Sequence, residues 1–117
     1  MSTDYKLSWN SDYYRIGDFL NDVKRGNHTG FLMQQLNKGK NITIPAVGST
    51  ATITAGKKAI ARCEVTSNPV YGYFQDDYDI GSHNREKKNW VIIKITEVID
   101  EPFALKGNQM TWCRMTT

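Results

Sequence analysis

The chain is poor in the residues that build covalent or metal-held scaffolds. It has two cysteines in 117 residues, Cys63 and Cys113, 50 positions apart and in no CxxC pair. That rules out a disulfide-dense secreted fold and leaves two reduced, packed thiols as the expectation. It has two histidines, His28 and His83, and neither stands at a metal-ligand spacing from a cysteine or from the other. No metal or cofactor is therefore expected. Asp76, Asp77 and Asp79 form a local acidic knot without the following Glu of an EF-hand loop. Neither G-x-S-x-G nor G-x-x-x-x-G-K-[ST] occurs, so neither a nucleophile elbow nor a phosphate-cradling loop is indicated. No run approaches the about 18 apolar residues of a membrane span. The opening "MSTDYKLSWN" lacks the apolar core of a secretory signal, so an intracellular protein, cytoplasmic or nuclear, is expected.

What is present describes a small globular chain. The apolar share is 39% and the charged share 23%, which suits one soluble domain over 1–117. Net charge is +3, enough to tolerate a polyanionic partner without requiring one. The basic positions Lys57, Lys58, Arg85, Lys87 and Lys88 fall in segments that read as loops.

The period of the pattern changes along the sequence. "YKLSW" alternates as a short strand. Tyr13, Ile16, Leu20 and Val23 then recur on one helical face, which predicts a helix over Asp12 to Arg25, with Asn10 or Ser11 capping its start and Gly26 its end. "GFLMQQLNKGK" fits either a short strand at Thr29 to Met33 or a second short helix. From Lys40 onward the chain turns to β: "NITIP", "TATIT", "AIARCEVTS", "WVIIKITEV" and "MTWCRMT" are rich in Ile, Val, Thr and aromatics and are separated by turn formers. The expected fold is α+β, a small curved β-barrel of five to six strands with one or two helices packed outside.

The candidate chemistry is aromatic and amide-rich. Residues 67–89 form a long aperiodic segment in which Tyr71, Tyr73, Phe74 and Tyr78 lead to His83, Asn84, Arg85, Lys87, Lys88 and Trp90. Flat rings beside cations are what stacking on a base and contact with phosphate require. Trp9 precedes Asn10, and Trp112 follows Asn108 and Gln109; an amide beside an indole can read a base edge while the ring covers its face. Three indoles in so short a chain could frame a cage. The alternative is that Trp90 and its neighbours only plug the end of a barrel. No catalytic constellation is evident, so a non-enzymatic role is favoured.

In order, "SWN", the helix, "KKAIARCEVTSNPVY", "NWVIIKITEVID" and "EPFALKGNQMTWCRMT" resemble the PUA-like superfamily, in the branch that holds the EVE and YTH domains. Ala59 to Pro69, Trp90 to Val98 and Pro102 to Leu105 follow the plan of those domains: a strand, a variable loop, a strand led by an aromatic, and a short proline element. The resemblance implies a module that binds RNA or DNA carrying a modified base in an aromatic pocket at the barrel end. It places Trp9 and Asn10 beside the base, His28 and Phe31 in the wall after the helix, and Trp90 or a loop tyrosine, Tyr71 or Tyr73, opposite; the residue pattern itself adds Asn108 at the base and Lys57, Lys58, Arg85, Lys87 and Lys88 at phosphate. Where YTH domains have a tryptophan after the helix, this chain has His28 and Phe31. The related ASCH branch includes hydrolases, which leaves a small-molecule or nucleotide-binding protein, or an ASCH-like hydrolase using the same pocket, as the alternative.

Overall fold

The computed structural model describes residues 4–36, 44–80, 87–105 and 111–115. Within them the chain forms strand β1 (Asp4–Trp9), helix α1 (Ile16–Lys24), and strands β2 (Phe31–Gln35), β3 (Thr50–Ala55), β4 (Lys58–Val65), β5 (Val70–Gly72), β6 (Lys88–Ala104) and β7 (Trp112–Arg114). The seven strands make one sheet in the order β2-β6-β4-β3-β1-β7, with β5 paired to β6 off that path. The molecule is mostly β, a strongly curled sheet with one short helix, and the coarse expectation of a small curved β fold holds.

Alternation explains the curl. In β1, Tyr5, Leu7 and Trp9 turn inward, and in β4 Ala59, Ala61, Cys63 and Val65 do the same. All of these but Ala59 meet Ile53, Val91, Ile93, Trp112 and the helix residues Ile16, Phe19 and Leu20 in a single core. Two register shifts in the β4–β6 ladder, between Ala59/Ala61 and between Arg62/Cys63, add twist. Pro102 lies in the first of these skipped stretches, where its missing N–H interrupts no ladder bond.

The two ends of the strand order, β2 and β7, share no backbone ladder. A side chain links them: the Nε1–H of fully buried Trp112 donates to the carbonyl of Gln35 at 3.0 Å. The sheet is therefore a half-barrel whose gap is bridged by this bond. β1 pairs parallel with β3 and antiparallel with β7, so strands from opposite ends of the described chain lie side by side.

Several local expectations change. The helix begins at Ile16, not Asp12, because Asn10 to Tyr13 form a turn in which Asn10 Oδ1 accepts from the N–H of Asp12 at 2.9 Å. Tyr14 instead bridges to Asp79. The helix ends as expected, with Lys24 in its last turn and Gly26 at φ 79°. "GFLMQQL" is a strand. "NITIP" contributes none within the described residues: 41–43 lie outside them, and Ile44 and Pro45 are irregular. The long segment before Trp90 holds β5, and β6 begins at Lys88, two residues ahead of the tryptophan. No described helix is long and apolar enough to cross a membrane. Cys63 is buried, Cys113 is half-buried, and both are free.

Candidate base-binding cavity

A cavity of about 980 Å³ opens where the half-barrel fails to close. One side is the end of β1, Ser8 to Asn10, with Thr111; the facing side is the whole of β2; and Phe74 to Asp76 with Asp79 form a third wall. The third wall is fastened to the start of the helix. Arg15 N–H donates to Tyr78 O at 2.8 Å, and Ile80 N–H to Tyr13 O at 2.9 Å. The hydroxyl of Tyr14 donates to Asp76 Oδ2 at 2.7 Å.

Six expected site residues line this cavity: Trp9, Asn10, His28, Phe31, Lys88 and Trp90. Tyr71 and Tyr73 do not; they stand on the outer surface, 65% and 57% exposed. Lys57, Lys58 and Lys87 are off the lining as well. Lys57 follows Gly56, which does line it, and these two residues make the positive-φ turn (58° and 65°) that joins β3 to β4. Asn108 and Arg85 lie outside the described residues.

The indoles are a frame, with little face to offer. Trp9 is 7% exposed and packs on Tyr14 with ring centres 5.4 Å apart. Trp90 is 4% exposed, meets Phe74 edge-on at 5.9 Å, and donates its Nε1–H to Gly72 O at 3.0 Å. Trp112 is interior and does not touch the cavity, so the three indoles do not share a cage. The most exposed rings on the lining are Phe31, 44% exposed, and Tyr13, 52% exposed, while Phe74 and His28 are half-buried. Lys94 Nζ sits 5.4 Å from the centre of the Phe31 ring.

Polar groups are placed by the same local geometry. His28 Nδ1 accepts from the N–H of Gly30 at 3.0 Å, which fixes the tautomer and leaves Nε2–H as the donor. Gly30 at φ 87° makes that turn possible. Lys88 Nζ donates to Gln35 Oε1 at 3.0 Å. Asp12, Asp76 and Asp79 give the lining more acid than base. Asp76 also accepts from the N–H of Tyr78 at 2.9 Å, and its own N–H donates to Asp79 Oδ2 at 2.8 Å. Burial, followed by the bond to Asp76, drives the Tyr14 hydroxyl well above its ordinary pKa, so it stays a neutral donor. Its neighbour Tyr78, hydrogen-bonded to Asp22, is pushed up to about 12.

Sequence reasoning did not assign Tyr13, Tyr14, Gln34, Gln35, Asp76 and Asp79 to this site. Tyr13 and Tyr14 fell inside the expected helix, and the two glutamines lay in the segment whose period was ambiguous. The acidic knot was visible, but its pairing with residues 13–15 is a long-range contact that leaves no local pattern. Among the described residues, no group of three His, Cys, Asp or Glu side chains is arranged to hold a metal ion. No family model matches the chain, and no curated protein does.

Proposed function

We propose that the cavity holds a single base of RNA or DNA, and that the protein is a non-enzymatic nucleic-acid reader of the PUA-like kind. The observation that carries this reading is a hollow lined by the half-exposed residues Phe31 and Tyr13 and framed by buried indoles, with Lys88 on its lining. A volume of about 980 Å³ is at the upper end of the about 300–1,000 Å³ typical of small-ligand sites, so a base and its sugar fit. Lys87 next to Lys88, and Lys57 and Lys58 beside Gly56, put cations just outside the hollow, where the flanking phosphates of a strand would pass. The exposed Tyr71 and Tyr73 offer outer faces for neighbouring bases. A modified base is the ligand that the family resemblance implies.

A second reading has an observation of its own. Asp12, Asp76 and Asp79 on the lining repel a polyanion and favour a free nucleoside or similar small molecule. Titration of tryptophan fluorescence with oligonucleotides and with nucleosides separates the two: the reader binds the oligomer more tightly and with steep salt dependence. Phe31→Ala should weaken base-dependent binding by roughly tenfold or more, since stacking contributes about 1–3 kcal/mol per base. If neither oligomer nor nucleoside binds, the site has been misread.

A further inference from the structure

The cavity runs along the open rim of β2, and that rim carries an ordered set of hydrogen-bonding groups. All five residues of β2 line it. Side chains alternate between the faces of a strand, so a hollow over one face would touch every second residue. Contact with all five means the hollow follows the edge. The ladder to β6 decides which backbone groups look into it. Gly30 O accepts from Ile95 N–H, and Leu36 N–H donates to Asn89 O. The intervening even-numbered residues, Leu32 and Gln34, therefore turn their N–H and C=O toward β6, and the odd-numbered residues turn theirs to the rim.

On that rim Gln35 is already satisfied. Its N–H donates to Gln34 Oε1 at 2.8 Å, and its carbonyl accepts from Trp112. Met33 has no such partner for its N–H or C=O among the described residues. Gln34 is 8% exposed and its Oε1 is held by the Gln35 N–H, so its Nε2 remains to donate. No buried side-chain nitrogen or oxygen among the described residues lacks a partner. The Nε2 of Gln34, with no acceptor among the described residues, therefore opens on the cavity that Gln34 lines. Along the rim the order is donor (Met33 N–H), acceptor (Met33 C=O), donor (Gln34 Nε2).

We infer that this rim recognises the acceptor–donor–acceptor edge of a planar imide, the edge carried by uracil and thymine. Cytosine puts a donor and two acceptors there, adenine a donor beside an acceptor, and guanine an acceptor followed by two donors. None of these matches all three groups, and a buried amide facing the wrong partner loses its hydrogen bond outright. Substituents on pyrimidine C5 leave the imide edge intact and are compatible with the site; substituents on N3 are not. This inference rests on the base-binding reading and names the class of base.

The test uses the full chain with uridine, thymidine, cytidine and N3-methyluridine, following intrinsic tryptophan fluorescence and the exchange of backbone amides by NMR. Uridine and thymidine should bind alike. Cytidine and N3-methyluridine should bind at least about tenfold more weakly, the factor expected for one lost hydrogen bond whose partner stays unpaired. Exchange of the Met33 amide should slow in the uridine complex. Gln34→Glu keeps the acceptor for the Gln35 N–H but removes the donor, and should weaken uridine about tenfold; if that variant does not fold, the nucleoside series decides. Equal binding of uridine and N3-methyluridine, or an unprotected Met33 amide at saturation, overturns the inference. Binding of purines alone overturns it and leaves the base-binding reading standing; binding of no nucleoside and no oligonucleotide overturns both.

Discussion

Trp112 closes the sheet, and its replacement has a cost that can be worked out in two parts. The ring is fully buried, meets Tyr5 edge-on at 5.7 Å, and donates its Nε1–H to Gln35 O. Trp112→Ala removes both contributions and should cost about 3–5 kcal/mol, as for other buried aromatics cut back to alanine. Trp112→Phe keeps most of the apolar volume and loses the N–H. Its cost should be nearer about 1–2 kcal/mol, one modest net hydrogen bond plus an imperfect fit. Urea denaturation followed by circular dichroism measures both, with unchanged m-values if only the native state is affected. Because Trp112 bridges β7 to the end of β2, Trp112→Phe should also speed amide exchange at Leu36, whose N–H is bonded to Asn89 O in the neighbouring ladder position. A loss below about 1 kcal/mol for Trp112→Ala would refute the packing assignment, given how consistently such truncations cost more. Equal losses in the two variants would mean that the hydrogen bond, not the ring, carries the junction.

Alkaline pH should destabilise the protein, read as a falling urea midpoint. Burial raises the Cys63 thiol from 9.0 to about 12, and the Asp22 bond raises Tyr78 from 10.0 to about 12. Both are neutral below their unfolded values, so their stabilisation is complete below about pH 9 and is lost as pH climbs toward about 12. A thiol reagent applied at pH 8 should label half-buried Cys113 and spare Cys63 until denaturant is added; equal labelling of both would contradict the packing. Replacing Lys87 and Lys88 together with Ala should weaken oligonucleotides of every sequence to a similar degree and flatten the dependence on salt; an unchanged slope would take phosphate away from this rim.

Much of the architecture could be read locally, because it rests on alternation. β1, β3, β4 and the core of β6 are period-two segments of β-branched and aromatic residues. The helix could be read from its apolar face, but its start could not. Asn10 and Ser11 look like caps, yet Tyr14 is drawn out of the helix by Asp76 and Asp79, more than 60 residues away. The cavity was half legible. Trp9, Asn10, His28, Phe31, Lys88 and Trp90 were named, while Tyr71 and Tyr73 fell on the outside, because β5 turns that stretch away from the hollow. Ring exposure was the least legible property of all: the indoles drew attention, but Trp9 and Trp90 are spent on Tyr14 and Phe74, and Phe31, beside Lys94, stays 44% exposed. Composition does not disclose which of two neighbouring rings is covered.

The pairing of β1 with both β3 and β7 has a consequence for how the chain is made. The first strand leaves the ribosome with neither neighbour available, and its outer edge, from Tyr5 to Leu7, waits about a hundred residues for Arg114 to Trp112. Closure of so wide a loop should slow folding relative to a chain whose strands pair with sequence neighbours. A nascent chain stalled before β7 should display that bare edge to chaperones.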